Sequence, residues 1–374
     1  FGAQHYDHYD FLFTISNYLG GEGLEHHRSS EDGVGRGYFT EWDKHLSDHN
    51  LLPHEYTHSW NGKFRRPADL WTQDYRTPMQ DSLLWVYEGQ TQFWGYVLDA
   101  RSRMLSKQDT LDAIAATAAA YSLGTPGRTW RPLIDTTNDP IIAQRAPQPW
   151  RSWMRSEDYY SEGQLIWIDV DRIIREQSHG RKSIDDFARA FFGVRDRDYG
   201  ELTYTLDDLV RTLNAVQPYD WRDYLQRKVF DIAPQAPLDG INQGGYRLIY
   251  TPEPTHWIST SEMDRKYTDL TYSGGFTVGE DGRIGSVLWD SPAFNAGLTV
   301  GSQIVAVNGR NYSMDSIKQA IKDAAAGGAA PQLLVHDGDV YRTVTLDWHG
   351  GLRYPRLEKV GKGPGTLDAL LAPR

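Results

Sequence analysis

The chain has 374 residues, 39% hydrophobic and 24% charged, with a net charge of −11. That length exceeds one ordinary core and points to two domains, while the acidic balance argues against nucleic acid and anionic membrane as partners, because a phosphate backbone is held by clustered Lys and Arg. Cysteine is absent, which excludes disulfides and thiolate metal sites, so any zinc must be held by His, Asp or Glu.

Residue 1 is Phe rather than Met, which gives the expectation of a processed or cut N-terminus and leaves the compartment undefined. No run of eighteen apolar residues is present, so no segment reads as a membrane-crossing helix. Tyr9 to Ser16, "YDFLFTIS", is β-branched and aromatic and predicts a strand. "GGEGLEHHRSS" (20–30) reads as a loop or edge segment. "GVGRG" at Gly33 to Gly37 lacks the Gly-Lys-Ser/Thr ending of a phosphate loop.

From about Glu41 to Asp231 the apolar spacing is mostly helical. The first notable stretch is "LLPHEYTHSW", Leu51 to Trp60. On a helix, His54 and His58 share one face and can offer imidazole nitrogens to a single ion. A catalytic zinc needs a third protein ligand and one open position, and Glu55 projects where a water's proton could be taken. Leu51, Leu52, Tyr56 and Trp60 supply apolar surroundings, and Pro53 predicts that the helix starts close by. In "LWVYEGQTQFWG", Glu88 stands among Trp85, Val86, Tyr87 and Phe93, where a carboxylate is costly to bury unless paired or bound to metal. Gly89 would let another backbone come near. Further helices are predicted at "TLDAIAATAAAYSL" and "GQLIWIDVDRIIREQ", and at "SIDDFARAFFG" and "TLDDLVRTL" with Ser or Thr caps.

Pro, Gly and Asn cluster at Ala233 to Gly245, marking a domain edge. Beyond it come short strands, "GGFTVGEDGRIGSVLW", "SQIVAVNG" and "YRTVTLDW", with one helix, "MDSIKQAIKDAAA". The stretch after Pro355 is Gly/Pro-rich and reads as a loose tail.

"HEYTHSWNGKFRRP" followed by "WVYEGQTQFWG" resembles the glycyl aminopeptidase family, gluzincin metallopeptidases with a thermolysin-like catalytic domain and a more distant kinship to aminopeptidase N. The resemblance runs from about Tyr9 to Trp348. It implies an α+β architecture: a mainly helical catalytic domain with a small sheet over residues 1–245, a PDZ-like β-rich domain over 246–350, and a loose tail over 351–374. It also implies a β-rich domain ahead of this region, so the chain reads as a C-terminal fragment or a processing product.

The same resemblance implies a zinc-dependent aminopeptidase that releases the first residue of peptides with a free N-terminus, with Gly or Ala preferred there. His54, His58 and Glu88 would hold Zn²⁺, and Glu55 would serve as base. "GEGLEHHRSS" resembles the exopeptidase strand of aminopeptidases, which implies that Glu25 receives the substrate ammonium, with Gly23 and His26 beside it. "EDYYSEGQLIWIDV" resembles the segment whose tyrosine precedes a glycine by three residues, which makes Tyr160 the oxyanion donor and leaves Tyr159 as its rival. Relatives often carry Lys where this chain has Glu162. "SPAFNAGLTVGSQIVAVNG" resembles a PDZ core, with Gly274, Gly275 and Phe276 as the carboxylate-holding loop for a peptide ligand. Two alternatives stand beside this reading: a zinc endopeptidase on the same residues, and a PDZ peptide-binding adaptor with a vestigial metal site.

Overall fold

A computed structural model describes residues 1–19, 21–140 and 150–374; Gly20, at the head of the expected loop, lies outside the described residues. Helices and short sheets mix as an α+β architecture. The N-terminal strands β1 (Asp10–Ile15), β2 (Gly23–Glu25) and β3 (Ser29–Val34) form a sheet in the order β1-β3-β2, with β2 at one edge. The central strand β3, "SSEDGV", has no apolar alternation. It is held instead by parallel pairing to β1, antiparallel pairing to β2, and burial of Ser30 and Asp32, which are bonded to each other at 2.8 Å. That is why its sequence reads as a loop.

Behind this sheet stand α1 (Leu51–Thr57), α2 (Leu84–Tyr87), α3 (Gly89–Ser102), α4 (Lys107–Ser122), α5 (Ser161–Gln177), α6 (Ile184–Phe191) and α7 (Leu206–Val216). Pro53 lies in the first turn of α1, where its missing N–H costs nothing. The predicted caps are present: Ser183 and Thr205 each form a capping box at the start of α6 and α7. A parallel pair, β4 (Arg65–Pro67) and β5 (Leu202–Tyr204), closes one side. The core is aromatic-rich, with Trp85, Trp94, Trp167 and Trp221 fully buried.

The C-terminal third begins with β6 (Tyr246–Thr251) and α8 (His256–Arg265). A three-stranded sheet follows, β7 (Tyr267–Leu270), β8 (Phe276–Gly279) and β9 (Ile284–Val287). Then come β10 (Gln303–Val307), β11 (Arg310–Asn311), α9 (Met314–Ala325), β12 (Gln332–Asp337) and β13 (Val340–Thr345). A second apolar core joins Leu46, Tyr96 and Leu105 of the helical part to Trp257, Ile258 and the strands of this third.

The expectation of a loose tail is corrected. Residues 354–359 form β14 (Tyr354–Lys359), paired antiparallel with β6, and α10 (Thr366–Leu370) buries Leu367 and Leu370 in the helical core, with Leu371 beside them. Asp368 receives Tyr246 Oη at 2.7 Å and pairs with Lys107 and Lys359. Arg374 reaches Asp185 at 2.6 Å, beside the Arg101–Asp185 ion pair. Gly and Pro in this stretch hid three apolar contacts that only the tertiary fold supplies. Leu370→Ala should therefore cost about 2–5 kcal/mol in chemical denaturation, as a buried core leucine does; a tail without packing would show no change.

The loop of Gly274, Gly275 and Phe276 is also corrected as a peptide site. It is buried, and the N–H groups of Ser273 and Gly275 both donate to the Leu270 carbonyl. The strand it leads into, β8, is paired with β7 on one side and β9 on the other, so it has no free edge for an added peptide.

Candidate active site

α1 lies against α3, and their contact sets the position of the first histidine: a side chain at Gly95 would meet His54 Cβ at 3.5 Å. The helical stretch that carries "LWVYEGQTQFWG" breaks at Glu88, which caps the end of α2 and the start of α3. The break turns the Glu88 carboxylate toward α1. His54 Nε2 and His58 Nε2 stand 3.2 Å apart, and Glu88 Oε2 lies 3.5 Å from the first and 3.3 Å from the second. A tetrahedral zinc with ligands at about 2.0–2.1 Å needs ligand atoms about 3.3–3.4 Å apart. The three atoms match that triangle.

The donor chemistry fits as well. Glu88 Oε2 is buried and makes no aligned hydrogen bond among the described residues, although two imidazole nitrogens are close. Ligands of one ion point at the ion rather than at each other. Burial pushes the Glu88 carboxyl up, but the charges of His58 and His54 pull it below its usual range, so it stays ionised. Burial pushes the His58 imidazole down, yet Glu88, Glu25 and Glu55 outweigh this and raise it to about 9. Three carboxylates thus create a field that favours positive charge between the histidines.

Supporting contacts fix the ligands. His58 Nδ1 faces the Asn61 carbonyl at 2.9 Å, which suits an N–H at Nδ1 and makes Nε2 the nitrogen that faces Glu88. The Asn61 amide donates to Val86 O, Tyr87 O and Thr91 Oγ1, tying the end of α1 to the α2–α3 break. Sequence reasoning missed Asn61 and Thr91; their only signal was proximity to the ligand motifs.

Glu55 is buried on the sheet side of the same helix. Its Oε1 would lie 2.2 Å from a side chain at Gly23, so the missing Cβ of Gly23 makes room for this carboxylate. Burial raises the Glu55 carboxyl, against the charges of His54 and His58. Glu25 projects from edge strand β2 and accepts Tyr87 Oη at 2.7 Å. Burial pushes its carboxyl up, but His58 and Lys63 hold it below the usual range. Lys63 Nζ is 3.4 Å away, a partner that sequence reasoning did not foresee.

Tyr160 sits at the N-terminal end of α5, its ring stacked on His54 at 6.2 Å. It reaches this place because α3 and α5 cross at two glycines: a side chain on Gly89 would meet Tyr159 O at 2.5 Å and Gly163 Cα at 2.9 Å. Burial pushes the Tyr160 hydroxyl well up, so it remains a proton donor. Tyr159 is buried in the helical core instead. Glu162 is turned away into a buried pair with Arg128 (2.7 Å) and Arg155, so its charge is compensated there.

One expectation does not hold at this site: His26 is 45% exposed and faces Glu31 at 3.7 Å, outside the cluster. Trp85, beside Glu88 in sequence, is fully buried and stacks on Trp167.

Residues 47–166 match the profile of the M61 glycyl aminopeptidases. This segment is similar to that family. It contains His54, Glu55, His58, Glu88 and Tyr160. A sequence comparison with curated proteins gives no match. In structure the chain is similar to an aminopeptidase N family protein from Idiomarina loihiensis, at 19% identity and a TM-score of 0.75, covering 99% of this chain and 63% of that one. The chain therefore spans less than two thirds of that neighbour's length, and the likeness is one of fold.

Glu88→Ala should abolish zinc binding at the His54–His58 pair, removing one equivalent from a calorimetric titration. Asn61→Ala, which leaves His54, His58 and Glu88 in place, should weaken that binding about 10–100-fold. An unchanged affinity in both would remove these residues from the centre.

Proposed function

We propose that the chain is a zinc-dependent aminopeptidase that hydrolyses the first peptide bond of substrates with a free N-terminus. The observation that carries this reading is the triangle of His54, His58 and Glu88, with Glu55 beside it and Glu25 on the neighbouring strand edge. When bound, the ion supplies charge that polarises a carbonyl and acidifies a water. Glu55 takes the proton of the attacking water and holds it on its carboxylate. Tyr160 donates its hydroxyl to the oxyanion that develops as the carbonyl is attacked. The free edge of β2 offers backbone groups to an extended peptide, and Glu25 at its end receives the ammonium.

Preference for Gly or Ala at the first position is part of the proposal. It rests on the family's description and on the Tyr87 ring, whose hydroxyl closes on Glu25 and crowds that end of the strand. The endopeptidase alternative draws on one observation: Lys63 already stands 3.4 Å from Glu25, where a substrate ammonium would bind. The adaptor alternative has no such support, because both edges of β8 are paired.

Glu55→Gln should keep its zinc and lose turnover on an alanyl or glycyl reporter substrate. Tyr160→Phe should lower kcat about 10²–10³-fold at unchanged metal content; an unaltered kcat would take Tyr160 out of the reaction. An N-acetylated peptide should resist cleavage that its free-amine form undergoes, and Glu25→Ala should narrow that difference. Equal cleavage of both peptides would establish the endopeptidase reading instead.

A further inference from the structure

A second cluster outside the site shows the same signature as Glu88. His45 lies between the 3-10 turns Trp42–Lys44 and Leu46–Asp48, is only 7% exposed, and its Nδ1 is buried without an aligned hydrogen bond among the described residues. Nδ1 nonetheless stands 3.2 Å from Asp264 Oδ1 and 4.0 Å from Asp48 Oδ2. All three ligand atoms fall within 4.8 Å of one another. A simple ion pair would turn the N–H onto one oxygen; here the nitrogen stands near an oxygen of each carboxylate and makes an aligned hydrogen bond to neither. We infer that His45, Asp48 and Asp264 form a second divalent-cation site, separate from the one at Glu88.

Charge supports this. Among the described residues, neither carboxylate has a Lys or Arg within ion-pair distance, so two acids face one imidazole uncompensated. Asp48 is already oriented, since its other oxygen, Oδ1, accepts Ser47 Oγ at 3.2 Å. One imidazole with two carboxylates suits a first-row cation such as Zn²⁺ or Mn²⁺ and disfavours Ca²⁺ or Mg²⁺, which take oxygen ligands.

The placement gives the cation a role. Asp264 is on α8, at the head of the C-terminal third, and Asp48 is six residues before His54. Leu46 already packs with Trp257 and Ile258 in the core between the two parts. A cation here pins α8 to the turn that leads into α1. It is a structural staple and takes no part in peptide hydrolysis.

The test strips metal from the full chain and titrates with Zn²⁺ alone, reading stoichiometry and the thermal unfolding midpoint. Wild type should take two equivalents and Glu88→Ala one. In the Glu88→Ala chain, that remaining equivalent should raise the unfolding midpoint, and adding Asp264→Asn or Asp48→Asn should remove both the binding and the shift. Near-ultraviolet circular dichroism checks that each variant is folded, and the two Asp variants stand in for each other if one is not. The inference is overturned if Glu88→Ala binds no zinc below millimolar concentration, or if its equivalent survives both Asp variants. Loss of zinc at Glu88 alone leaves it standing, so its failure and that of the peptidase reading are distinguishable.

Discussion

A buried carboxylate beside two imidazoles, with no proton correctly placed to bridge them, is the constraint on which the site depends. Removing Glu88 from water costs several kcal/mol unless a charge compensates it. The neighbouring histidines hold it ionised, and their nitrogens stand at the spacing of a coordination triangle rather than of a hydrogen-bonded chain. A divalent cation resolves both features together. The break between α2 and α3, the glycine crossing of α3 and α5, and the Asn61 tether all keep the ligand atoms at that spacing.

The acidic surroundings are graded. Glu25 and Glu88 are held ionised by neighbouring cations, while Glu55 is pushed toward protonation by burial. Carboxyls within one cluster therefore have environments suited to binding charge or to moving a proton. Arg128 and Arg155 keep the nearby Glu162 out of this balance. Its charge thus leaves the proposed oxyanion side undisturbed.

Much of this was legible in the sequence because its signals are local. The i, i+4 histidines, an acid amid aromatic residues and the capped helices all depend on neighbours within a turn or two. Gly89 announced a close backbone approach, and Gly163 meets it. What escaped notice depends on distant partners. β3 is polar and finds its place only between two strands, and the tail becomes ordered only by pairing with β6 more than a hundred residues earlier. The glycine loop at 273–276 carries the composition of an anion cradle, yet the N–H groups of Ser273 and Gly275 are consumed at Leu270 and its strand is enclosed. Lys63 beside Glu25 was hidden for the same reason, since a helix-to-strand turn brings it across from another element.

The most direct test is anomalous diffraction at the zinc absorption edge from crystals grown with Zn²⁺. The account predicts a peak bonded to His54 Nε2, His58 Nε2 and Glu88 Oε2 together. Density that left those atoms bridged by a proton or a water, with zinc absent or held elsewhere, would contradict it.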